Sequence, residues 1–373
     1  MLRLSLGRLS LLGGAFIVVS YSQVDLASAD DWQSIALADA GFAPNVGELL
    51  DTAVGRGDLP NLHAVVVARH GKLVLERYYE GRDERLGAPL GTVTFGPDVR
   101  HDLRSVSKSI VGLLYGIALD DGQVPALDQP LVDQFPAYDD LRRDPERRRM
   151  TIAHALTMTL GTEWDESLPY SDARNSEIAM EMAADRYRFV LDRPLVAQPG
   201  TRWAYNGGAT AVLGHLIAEG TGTPLLDYAR EKLFQPLGIA DIEWILGWNG
   251  EPRAASGLRL RPRDLAKIGQ LVLNQGSWEG RQIVPRSWLE ASFEHRVPAE
   301  DELEYGYQWW LGRGRVDGRR WIAGFGNGGQ RLVIVPDLDL VVAILAGNYN
   351  QPDAWKLSAT VMAEILLPAL RQD

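Results

Sequence analysis

The feature that most limits what this chain can fold into is a double change of hydrophobic period along its length. "LHAVVVARHGKLVLERYYEG" (62–81) places two apolar strand-like runs on either side of His70-Gly71-Lys72, which predicts a β-hairpin with a short glycine-containing loop. From Ser105 to about Gly276 the spacing turns helical, with apolar residues at i, i+3 and i+4 in "KSIVGLLYGIALDDG", "IAHALTM", "SEIAMEMAADRYRFVL", "ATAVLGHLIAEGTG" and "RDLAKIGQLVLNQG". Short β candidates then return in "YGYQWWLG", "RRWIAGFG", "QRLVIVPD" and "LDLVVAILAGN", and "DAWKLSATVMAEILLPAL" closes the chain as an amphipathic helix. Strands at both ends with helices between predict an α+β fold: one antiparallel sheet from N- and C-terminal segments, flanked by helices, with a mainly helical lobe inserted. The sheet lobe is expected at about 30–104 and 277–373, and the helical lobe at about 105–276. The crevice between them is the natural place for a ligand.

Residues 1–29 read as a signal peptide rather than as part of the fold. Arg3 and Arg8 precede an apolar run from Leu9 to Val19, and Ala27-Ser28-Ala29 has the small-x-small form of a cleavage site. A periplasmic or secreted protein is expected, without a stable membrane anchor once the leader is removed. The chain contains no cysteine, so disulfides, thiolate metal sites and a lipoprotein anchor are excluded. Residues 30–373 are long enough to hold one large domain by its core alone. The net charge of -11 argues against nucleic acid as a partner.

Chemistry is suggested first by "RSVSKSIVGLL". Ser105 and Lys108 stand three apart on one helix, so both side chains leave on nearly the same face. With 17 Ser and 5 Lys in 373 residues, chance placement gives about 0.2 such spacings, so the match alone is suggestive only. The ordinary reading is a helix-capping serine and a lysine that snorkels to water. The chemical one is a serine nucleophile beside an amine that burial holds neutral, able to take its proton. Gly112 and Gly116, further along, would permit close packing of the helix. Tyr205 comes second, in "PGTRWAYNGGATAVLG", where a tight turn could present a phenol to the crevice. Third is "GFGNGGQRLVIVP". Its Gly324, Gly326 and Gly329 match G-x-G-x-x-G, but a strand follows where a dinucleotide fold needs a helix, so a close backbone approach to substrate is the better reading. The six histidines are scattered without ligand spacing, so no metal or other cofactor is expected. Asp165 and Glu166 are candidate acid/base carboxylates, with solvent exposure the commoner fate of such loop residues.

Taken together, these stretches resemble the class C β-lactamase and D-Ala-D-Ala carboxypeptidase superfamily of serine hydrolases. The likeness runs through S-x-x-K at Ser105–Lys108, "VPALDQPLVDQFP", "MTIAHALTMTLGTEWDE", "PGTRWAYNGG", "LFQPLGI", "AASGLRLRPRDLAKIGQLVLNQG" and "GNGGQRLVIVPDLDLVV". Two departures stand out: Gly207 follows Tyr205-Asn206 where a second Asn is frequent, and Asn327-Gly328-Gly329 replaces a Lys- or His-led triplet. In this respect the chain is similar to the branch containing 6-aminohexanoate-dimer hydrolase and carboxylesterases. The resemblance implies an acyl-enzyme on Ser105, a proton network of Lys108 and Tyr205, and an oxyanion hole from the backbone N–H groups of Ser105 and Gln330, or of Gly329 if the alignment slips by one. It implies substrate contacts from Tyr170, Asp172, Asn175, Gly207, Asn327, Gly328 and Gly329, and from Trp309 or Trp310, of which only one can face the cleft because adjacent strand residues point to opposite sides. The expected partner is a small ester or linear amide. The alternatives are a β-lactamase or D-Ala-D-Ala carboxypeptidase, and a catalytically inactive binding protein of the same fold.

Overall fold

A computed structural model describes residues 32–294, 297–314 and 317–371; the expected leader at 1–29 lies outside them. The central sheet has eight antiparallel strands. From one edge they are Val297–Pro298, Glu304–Tyr305, Trp310–Arg313, Arg320–Gly326, Gln330–Val335, Leu340–Ala346, Leu62–Arg69 and Lys72–Tyr78. The N-terminal hairpin thus completes a sheet made mostly by the C-terminal segment, as the periodicity predicts. The two segments join where Leu62–Arg69 pairs with Leu340–Ala346.

Those two central strands are buried on both faces, so each feeds two cores. Val65 and Val67, with Val342 and Ile344, pack under the helix Val46–Arg56 and the C-terminal residues Leu357, Val361 and Leu366. Ala64, Val66 and Ala68, with Val341, Ala343 and Leu345, face the larger core shared with the helices. The period of two divides neighbouring residues between these layers. The helix Pro262–Leu273 belongs with the sheet rather than with the inserted lobe: a Cβ at Gly269 would lie 2.5 Å from Val341 and 2.8 Å from Leu332.

The helix Val106–Asp120 runs through the middle of the molecule and is buried from Val106 to Ala118. Gly112 and Gly116 do serve close packing. A Cβ at Gly116 would sit 2.2 Å from the Trp288 ring, whose Nε1 donates to Gly112 O at 3.0 Å. Ser109 Oγ donates to Gln308 O at 2.7 Å, tying the same helix to the strand region. Among the described residues no helix is long and apolar enough to cross a membrane.

Candidate active site

Ser105 is the residue that precedes the buried helix, and its side chain makes no capping hydrogen bond. Arg104 before it is left-handed, with φ +49°, a conformation that costs a non-glycine residue of order 1 kcal/mol. Arg104 is held there by Glu84 at 2.5 Å and Asp102 at 3.2 Å, and by stacking over Tyr349. The sharp turn leads into Ser105 at the helix N-terminus, where it is 7 % exposed.

Lys108 does not snorkel. It is 1 % exposed, and its Nζ lies 2.9 Å from Ser105 Oγ, 3.1 Å from Ala255 O and 3.2 Å from Glu177 Oε2. The Tyr205 phenol lies beside both, near enough to Ser105 and Lys108 to feel each of them, and the Lys108 Nζ is 4.9 Å from the centre of the Tyr205 ring. A hydroxyl, an amine and a phenol from two distant parts of the sequence therefore converge.

The charge state of the amine corrects the expectation of a neutral lysine. Burial by itself would lower its pKa, but Glu177, Tyr205 and Glu166 outweigh that, and Lys108 is held above the usual lysine range. Glu177 is held below the usual carboxylate range: burial opposes this, and the Lys108 ammonium wins. Burial also raises the Tyr205 phenol.

Glu177 is a catalytic-site neighbour that sequence reasoning missed. It lies in the first turn of the helix Ser176–Met182 and is 1 % exposed. Asn175, expected among the substrate contacts, is instead the cap of this helix. Its Oδ1 accepts from the Glu177 N–H at 3.0 Å, and its Nδ2 donates to Leu168 O at 2.7 Å. Asp172 is likewise engaged locally, paired with Arg174 at 2.7 Å.

Glu166 is not the solvated loop carboxylate anticipated. Its carboxylate accepts from Gly207 N at 2.5 Å, Trp164 Nε1 at 2.6 Å and Tyr170 OH at 2.7 Å. Burial, and then the nearby Glu177, push its pKa up to about 7. Tyr170 thus holds Glu166. Its backbone N–H also donates to Asn350 Oδ1, and Asn350 N donates to Asn327 Oδ1 at 2.9 Å. Asn327 therefore anchors a loop, and Gly328 bridges to Asn348 beside it. Gly328 and Gly329, with φ +90° and +98°, make the left-handed turn.

Gln330 sits opposite Gly326 in the strand ladder, and its side chain is bound to Ala346 and Asn327. The strand that touches the nucleophile turn is the preceding one. A Cβ at Gly326 would lie 2.4 Å from Leu103 O, and one at Gly324 would lie 3.0 Å from Val106.

Trp309 is fully buried and packs edge-on against Phe293. Trp310 is the member of the pair that faces the cleft, stacking on Tyr205 with centroids 5.8 Å apart and on Phe325 at 5.2 Å. A cleft of about 1000 Å³ opens here, lined by Trp164, Glu166, Trp203, Tyr205, Glu300 and Trp310 among others. Arg331 lies over the Phe325 ring at 4.1 Å, with burial lowering its pKa to about 10.

The histidines are less scattered than their spacing suggests. His63, His101 and Asp83 meet in a buried cluster with ligand atoms within 4.8 Å of one another. His63 Nδ1 and His101 Nε2 are hydrogen-bonded to each other at 2.8 Å, and burial lowers both to about 3. Neutral imidazoles tying strands together describe this cluster.

A serine at the start of a buried helix, a lysine 2.9 Å from its hydroxyl and a tyrosine beside both define a serine hydrolase. The chain belongs to the β-lactamase family, whose profile matches residues 48–366. It is 26 % identical to the 6-aminohexanoate-dimer hydrolase of Paenarthrobacter ureafaciens, over 87 % of this chain and 88 % of that protein. With esterase EstB of Burkholderia gladioli it shares 28 % identity over 59 % of this chain and 56 % of the other. Among solved structures, a class C β-lactamase from Rhodobacter sphaeroides superposes with a TM-score of 0.65 at 20 % identity, covering 87 % of this chain and 99 % of that one.

Proposed function

We propose that this protein cleaves small esters or linear amides through an acyl-enzyme on Ser105. The observation that carries the reading is that Ser105 Oγ and Lys108 Nζ lie 2.9 Å apart beside Tyr205, which itself lines an aromatic-walled cleft. Two of the relatives are named a 6-aminohexanoate-dimer hydrolase and an esterase, which supports the substrate class.

Ser105 Oγ attacks the acyl carbon while its proton passes to the Lys108–Tyr205 pair, and the pair returns a proton to the departing alcohol or amine. Water then releases the acyl group by the same route in reverse. Because the two groups sit against each other, the competent state belongs to the pair after it has lost one proton. The Ser105 N–H at the helix start is one oxyanion donor, and the backbone of Gly324–Gly326, in contact with the same turn, is placed to supply a second. Export through the leader at 1–29 is part of this reading, and N-terminal sequencing of the protein recovered from a periplasmic fraction tests it.

A fluorophosphonate probe should label wild-type protein at Ser105, and Ser105→Ala should abolish both labelling and turnover of p-nitrophenyl esters. Turnover of nitrocefin in place of short esters and linear amides would move the assignment to a β-lactamase. Folded protein that neither labels nor turns over any of these would make it a binding protein.

A further inference from the structure

Gly207 and Glu177 fit one another as a glycine fits the group that occupies its missing side chain. A Cβ built on Gly207 would lie 2.2 Å from Glu177 Oε2, far inside contact distance. The glycine is not there for its backbone. It opens the helix Gly207–Thr221 and is absent from the positive-φ positions, so alanine would otherwise be favoured by helix propensity. The volume that a side chain at 207 would fill is taken by the carboxylate that contacts Lys108.

The surroundings show that Glu177 is held in place. Asn175 caps its helix, and Ser176 exchanges hydrogen bonds with the Asp165 backbone. Buried ammonium groups need a compensating charge, and Glu177 at 3.2 Å is the carboxylate in direct contact with Lys108. Among the described residues, the two other atoms that accept from Nζ are Ser105 Oγ and Ala255 O. An ammonium has three N–H donors, and these three acceptors occupy them all.

We infer that Glu177 is the positioning residue that fixes the Lys108 ammonium against Ser105, and that Gly207 is the complementary vacancy that admits it. The inference rests on the acyl-enzyme reading above. It assigns to Glu177 the task of setting how tightly the Lys108–Tyr205 pair holds the proton it must release before Ser105 can be activated. No bond to substrate is made by Glu177 itself.

The consequence can be read from pH profiles and from paired substitutions. Glu177→Gln keeps the shape and an acceptor but removes the charge, so the pair should release its proton more readily. The ascending limb of log kcat/KM should move to lower pH by about one unit or more. Glu177→Ala should lower kcat at least tenfold. Gly207→Asn should harm the wild-type background, where its side chain meets Glu177, yet raise activity at least tenfold when added to Glu177→Ala, where it fills the vacated space and offers an amide oxygen to Lys108. Such a reversal of sign is the signature of direct contact and would not come from a general loss of packing.

Circular dichroism and thermal melts accompany each variant. If Glu177→Ala alone fails to fold, recovery of folding in the double variant reports the same complementarity, and if neither folds the Glu177→Gln profile decides. A Glu177→Gln profile superimposable on wild type overturns the inference, as does a Gly207→Asn effect that is harmful in both backgrounds. Wild-type protein that is not labelled at Ser105 would instead sink the acyl-enzyme reading, so the two failures are separable.

Discussion

Trp310 lies nearly parallel to Tyr205, with ring centroids 5.8 Å apart and planes 26° from each other, while its sequence neighbour Trp309 points the opposite way into the core. The pair divides the work of two identical side chains between cleft and packing. Trp310→Ala should raise KM and alter preference among acyl groups with little change in melting temperature. Trp309→Ala should lower stability by about 3–5 kcal/mol, as large core truncations do. Urea unfolding and a p-nitrophenyl ester series of increasing acyl length check both halves.

Lys108→Arg should retain the fold and lose at least 10²-fold in kcat, the scale of a general acid–base contribution. A guanidinium cannot exchange its proton in this pH range and does not fit the three acceptors around Nζ. Single-turnover kinetics with p-nitrophenyl acetate, followed by mass spectrometry of Ser105, would show the loss in acylation.

The pH dependence of activity follows from the same groups. Lys108 and Tyr205 both have pKa values displaced upward, so near neutral pH the pair keeps the proton it must lose. The competent fraction then grows with pH, by up to tenfold per unit below the apparent pKa of the pair. Log kcat/KM should climb from pH 7 to pH 9 rather than level off at pH 7, measured with a substrate whose spontaneous hydrolysis is subtracted.

Glu166 gives a stability prediction of opposite sign to that of an ion-paired carboxylate. Its pKa is raised to about 7, so between its unfolded value and about 7 the folded protein binds more protons than the unfolded chain. The contribution of Glu166 to stability is fully present below the unfolded pKa and declines as pH rises towards 7, by about 3 kcal/mol in all. Glu166→Gln should remove that decline, leaving a smaller difference between urea unfolding at pH 5 and at pH 8 than wild type shows.

Asn175→Ala should cost about 1 kcal/mol as the loss of a helix cap, yet reduce kcat by more than that figure would suggest, because the helix it caps carries Glu177. Comparison with an exposed cap such as Asp185→Ala, which bonds the Arg188 N–H at 2.9 Å, separates the two effects.

Much of this arrangement was legible along the chain. The change from period two to helical spacing and back, and the i, i+3 relation of Ser105 to Lys108, are local properties that a sequence records directly. So was the fact that only one tryptophan of the 309–310 pair could face the cleft, although not which one. That choice depends on strand register, which is set by the pairing of Trp310 with Tyr305 and Ala323. Glu177 was hidden because its helix reads as an ordinary amphipathic surface segment. Its burial against Lys108, 69 residues away in sequence, exists only once the lobes close. The single local signal was the glycine at 207, whose meaning depends on what occupies the space beside it. The charge of Lys108 differs from the sequence expectation for the same reason: burial of an amine is foreseeable from a hydrophobic helix, whereas the carboxylates that reverse its effect arrive from elsewhere in the chain. Sequence determined which residues could do chemistry, because spacing on one element is local. Tertiary structure decided their protonation, because electrostatic energy depends on distances across elements that no spacing fixes.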